Sequence, residues 1–100
     1  MQEIEAVIHQ YKLNEVRSAL EEMGIEDFME SSIKCHTQQG RQTMSFRGAT
    51  LVANIVEKVK LEVIAADESV EKIIEAIGSI ARTGNSEDCR IAVRPYQEVV

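Results

Sequence analysis

One hundred residues set the scale of a single domain, and 44% apolar with 28% charged residues is the composition of a chain that folds. A formal charge of −6 and a pI near 4.9 exclude a broad phosphate-tracking surface, which needs clustered Lys and Arg, so no nucleic-acid partner is expected. No apolar run approaches the ~18 residues of a bilayer span and the start Met1-Gln2-Glu3-Ile4-Glu5 lacks signal-peptide character, which predicts a cytoplasmic chain without direct membrane insertion.

From Glu3 to His9, Ile4, Ala6 and Ile8 alternate with charged or polar residues, the period of a strand with one covered face; Val7 falls on the other face. Leu13, Val16, Ala19, Leu20 and Met23 then form a helical stripe that Gly24 ends. A weaker extended segment from Phe28 to Lys34 leads into a long stretch, Cys35 to Asn54, with no sustained period; a structureless run of that length inside a small domain points to a functional loop. Val59, Leu61 and Val63 alternate with Lys58, Lys60 and Glu62 as a second clear strand. Asp67 is placed to cap the helix that follows, whose stripe is Val70, Ile73, Ile74, Ile77, Ile80 and Ala81, and Thr83-Gly84-Asn85 stops it. A last strand runs from Cys89 to Val93, with Pro95 limiting its extension.

The order βαββαβ implies an α+β, ferredoxin-like domain over 1–100, with both helices on one face of a four-stranded antiparallel sheet. The opposite face then needs cover, and the same face of other subunits is the simplest source.

Five stretches in this order resemble the PII signal-transduction proteins: Ile4-Glu5-Ala6-Val7-Ile8, Lys12-Leu13-Asn14-Glu15-Val16-Arg17-Ser18-Ala19-Leu20, Phe46-Arg47-Gly48-Ala49, Lys58-Val59-Lys60-Leu61-Glu62-Val63 and Arg82-Thr83-Gly84. The resemblance implies a non-enzymatic regulatory homotrimer with three effector clefts between subunits. It also implies a protruding loop, about 37–55, that docks on a target enzyme or transporter through Phe46, Arg47, Gly48 and Ala49. The cleft would draw on Ile8, Cys35, Gln38 and Gln39, on Lys58, Glu62 and Ile64, and on Glu87, Asp88, Cys89 and Arg90. Gln39 and Lys58 correspond to positions that hold 2-oxoglutarate beside magnesium-bound ATP in that family. No cofactor is required; ADP, AMP or ATP would act as effector, and no resident metal is expected.

The chain departs from the family's cleft at several positions. Cys35, Thr37, Glu87 and Cys89 stand where the family has glycines, whose bare backbone lets a loop close on phosphates. Gln38 replaces a phosphate-binding arginine, Arg90 replaces a lysine, and the chain reaches Val100 without the family's C-terminal arginines. Glu87 adds a carboxylate where phosphates would lie, which weighs against ATP relative to ADP or AMP. Leu51 and Ala49 occupy the positions of the uridylylated Tyr and phosphorylated Ser of other members, so neither modification is expected there.

Two further functions fit the same residues: a remodelled small-anion (bicarbonate-type) or carbon-status binding module, and a structural trimer whose clefts bind nothing. No enzyme is expected, since His9 and His36 have no nucleophile and orienting acid beside them in the sequence. Cys35, His36 and Cys89 match no standard zinc spacing, and two cysteines make no secreted disulfide framework; both thiols read as small hydrophobes.

Overall fold

The computed structural model describes the backbone of residues 1–36, 42–46, 49–53, 55–84 and 88–100, and the side chains of 1–36, 55–84 and 88–100. The elements are β1 (Gln2–His9), α1 (Leu13–Glu22), β2 (Met29–His36), β3 (Gln42–Phe46), β4 (Ala49–Ala53), β5 (Ile55–Ala65), α2 (Val70–Ala81) and β6 (Cys89–Pro95). Strands β2, β5, β1 and β6 pair in that order as one antiparallel sheet, the expected ferredoxin-like α+β arrangement.

Alternation along β1 and β5 decides which face meets the helices. Residues directly opposite in an antiparallel pair share a face, so Ile4 with Val63, Ala6 with Leu61, and Ile8 with Val59 form one apolar surface. Val16 and Leu20 of α1 and Ile73, Ile77 and Ala81 of α2 close over it, and all of these side chains are buried. Each large aliphatic residue so buried contributes roughly 1.5–3 kcal/mol of transfer free energy. Met23, read as part of the helical stripe, is instead 38% exposed, because it is the residue at which α1 ends.

The end of α1 follows from Gly24, whose φ of +82° is costly for a residue with a Cβ. Its amide donates to Glu21 O and that of Ile25 to Leu20 O, each at 2.9 Å, a Schellman closure in which Ile25 also packs on the core. At α2 the predicted Asp67 cap is corrected. A single 3-10 turn, Asp67–Ser69, precedes the helix, no side chain caps it, and the Asp67 carboxylate takes the terminal amine of Met1 at 3.2 Å. Beyond Ala81 the chain extends at Arg82 and turns at Gly84, with φ of +101°. Strand β6 runs to Pro95, two residues past the predicted end, because on an edge strand a missing amide leaves no ladder bond unmade.

One expectation changes. Within the span read as a loop, β3 and β4 pair as a separate two-stranded sheet, with Phe46 in register with Ala49, and Ile55 already belongs to β5. The second sheet face, expected to be covered by other subunits, carries ion pairs: Arg94 with Glu3 and Glu5, and Lys60 with Glu62. Val7, 5% exposed, is the buried apolar residue of that face, in register with Lys60 and Arg90 on its two neighbouring strands.

Candidate functional site

Three pieces of chain meet where β1 ends: its last residue His9, the exit of α2, and the residue just before β6. Asp88 is their common point and is only 5% exposed. Its Oδ2 accepts the Thr83 amide at 3.1 Å and the Thr83 hydroxyl, and its Oδ1 accepts from His9 Nε2 at 3.1 Å. The His9 ring stacks on Tyr11, centroids 5.3 Å apart and planes 15° from parallel, with the Lys12 ammonium 5.8 Å from the Tyr11 centroid.

Lys58 lies at the same end of the sheet, in register with His9 on β1 and Ile33 on β2, and is 6% exposed. Lys58 and Asp88 are the two charged side chains buried among the described residues. Both bear on Cys89. Burial pushes its thiol pKa up, Arg82 opposes this, Asp88 reinforces it and Lys58 opposes it.

The sequence-predicted cleft residues fall into two groups. Lys58, Asp88 and Cys89 share one end, with Cys35 on β2 in register with Val56 nearby along β5. Glu62 and Ile64 lie towards the other end of β5, four and six residues, or roughly 13 and 20 Å, from Lys58. There they line a cleft of about 520 Å³ with Met1, Phe28, Met29 and Tyr96, which carboxylates Glu26, Asp27 and Glu98 also border. Arg90 is exposed on the ion-paired face, in register with Val7. Ile8 does not line a cleft within the subunit: it is fully buried beneath the helices, between Val59 and Cys89. Gln38, Gln39, Arg47, Gly48 and Glu87 lie outside the described residues, and Phe46 and Ala49 are described only as backbone.

His9 and Thr83 were missed by the sequence reading, which gave His9 no acid. The acid is Asp88, 79 residues away, delivered by the β1–β6 pairing. Thr83 bonds to the carboxylate and not to the imidazole, so the trio is no nucleophile–base relay. Among the described residues no group of three or more His, Cys, Asp or Glu could hold a metal ion, and no helix is long and apolar enough to cross a membrane.

Comparison with known proteins places the whole chain beside one family. The family model described as nitrogen regulatory protein P-II matches residues 1–100. The chain is similar to proteins of that name from Azospirillum brasilense (43% identical), Rhizobium meliloti (41%) and Cereibacter sphaeroides (37%). Each similarity covers 100% of this chain and 89% of the relative.

Proposed function

Because the chain belongs to the nitrogen regulatory protein P-II family, we propose that it is a regulatory signal-transduction protein that senses an adenine nucleotide or small metabolite in clefts between subunits. In this reading the segment around 37–55 carries the outcome to a target enzyme or transporter, and no reaction is catalysed. The effector shifts a population of conformers by contacting the base of that segment differently in each.

One observation carries the inter-subunit part of the reading: the cleft residues lie on opposite edges of the sheet. Asp88, Cys89 and Arg90 belong to the β6 edge, and Cys35 to the β2 edge, with β5 and β1 between. A ligand touching both groups at once needs the β6 edge of one copy beside the β2 edge of the next. Contact between two different edges is heterologous, and a heterologous contact whose rotation closes makes a ring, of which the trimer is a small member.

Titration calorimetry with ATP, ADP, AMP, 2-oxoglutarate and bicarbonate tests the sensing role. Binding of an adenine nucleotide, with ADP or AMP preferred to ATP, is the expected result. Bicarbonate binding without nucleotide binding would replace this reading with the small-anion module, and no binding at all would leave a structural trimer.

A further inference from the structure

We propose that the His9–Asp88 contact is a proton-operated latch that sets how firmly the exit of α2 and the start of β6 are held against the end of β1. Asp88 is buried and bonded on both oxygens, with Thr83 holding it on one side and His9 on the other. Neutral His9 donates one hydrogen bond from Nε2. Protonated His9 makes the same contact as an ion pair, and charge-assisted hydrogen bonds are roughly twice as strong as neutral ones. Imidazole is the side chain whose ordinary titration falls between about pH 5 and 8.

Several groups face His9: Asp88 bonds its ring at 3.1 Å, and Lys58 is in register with it on β5. Ile33, in register with Lys58 on β2, is uncharged, and Tyr11 offers its ring face, with the Lys12 ammonium 5.8 Å from that ring's centroid. At the start of β6, Cys89 is in register with Ile8 and Arg90 with Val7. Along the exit of α2, Thr83 bonds Asp88 and Arg82 acts on the Cys89 thiol. His9 is thus the one imidazole at a point where three chain segments share a carboxylate, and its proton reaches all three through Asp88. That the latch regulates effector binding rests on the cleft reading above; the latch itself does not.

The test uses the ligand-free protein, so its outcome is independent of that reading. Nuclear magnetic resonance from pH 5 to 8.5 should show the His9 ring and the Thr83 amide moving in one step with a common midpoint. His9→Gln keeps a donor without a titratable proton, and in it the Thr83 step should be lost. His9→Lys fixes the positive charge, and in it the Thr83 amide should stay at its low-pH position throughout. Amides in the β1–β5 ladder report whether each variant keeps the fold, and the native titration stands alone if one does not. A Thr83 amide that ignores the His9 titration in the native protein, or that still titrates in His9→Gln, overturns the latch.

Discussion

Cys35 and Cys89 stand on the two edge strands of one sheet and on its opposite faces. Cys35 is in register with Val56, on the same side of β5 as Lys58; Cys89 is in register with Ile8, whose β5 partner Val59 faces the helices. Three strand spacings of about 4.8 Å put them at least ~14 Å apart, twice the ~7 Å that a disulfide spans. Oxidation of the isolated subunit should therefore leave two titratable thiols and no mass loss from an internal bridge. Because burial raises the Cys89 pKa, less of it is the reactive thiolate at neutral pH. Alkylation at pH 7.5 should be markedly slower at Cys89 in the folded protein than in denaturant, read by peptide mass spectrometry; equal rates would contradict the placement.

Asp88 is the polar keystone of the site, and its removal should be felt as lost stability. Asp88→Ala strands the Thr83 amide and hydroxyl and removes the His9 acceptor. Hydrogen bonds to a buried charge are worth about 1.5–3 kcal/mol, so urea unfolding should show a loss of that order or somewhat more. Thr83→Val, which deletes only the hydroxyl contact, should lose about 1 kcal/mol. A neutral Asp88→Ala would mean that the carboxylate is not holding these segments.

The proposed assembly rests on the division of the cleft residues between the β2 and β6 edges. Light scattering at micromolar concentration should give about three times the 11.2 kDa chain mass, roughly 34 kDa. The ion pairs of Arg94 with Glu3 and Glu5, and of Lys60 with Glu62, lie on the face the helices leave open. They give that face specific partners within each copy, so it need not be apolar. A monomer at that concentration would remove the inter-subunit cleft from the account.

Glu87 stands, by the resemblance to the P-II family, where terminal phosphates would lie in the proposed cleft. A carboxylate brought within a few ångströms of a terminal phosphate costs on the order of 1 kcal/mol or more even at surface-like dielectric. Glu87→Gly should strengthen ATP binding about tenfold, or ~1.4 kcal/mol, and AMP binding far less. Calorimetry at one salt concentration, with circular dichroism as a check on the fold, reads this; an unchanged ATP-to-AMP preference would place Glu87 away from the phosphates.

What was legible in the sequence was whatever repeats within one element. Ile4, Ala6 and Ile8, then Val59, Leu61 and Val63, announce central strands because one face of each is buried, and Ile73, Ile77 and Ala81 announce α2 for the same reason. Strand β2 was faint because Met29-Glu30-Ser31-Ser32 is exposed on a sheet edge, where little burial imposes a pattern. The β3–β4 pairing was missed because strands five residues long that pair with each other and lie outside the main sheet carry few positions in which alternation can show. Asp67 was legible as a cap only by type; the amine of Met1, brought beside it by the fold, takes the carboxylate instead. The His9–Asp88 contact was invisible in principle, since two residues 79 positions apart become neighbours only through strand order.

In the proposed function, an effector bound at the Lys58–Asp88 end of the sheet is reported by the 37–55 segment. Hydrogen–deuterium exchange across that segment, with and without a saturating nucleotide from the calorimetric series, tests it most directly. Exchange in peptides spanning 37–55 and 83–90 should change on binding, while amides of the Val59 to Val63 core of β5 stay protected in both states. A nucleotide that binds by calorimetry yet leaves exchange across 37–55 unaltered would contradict the account.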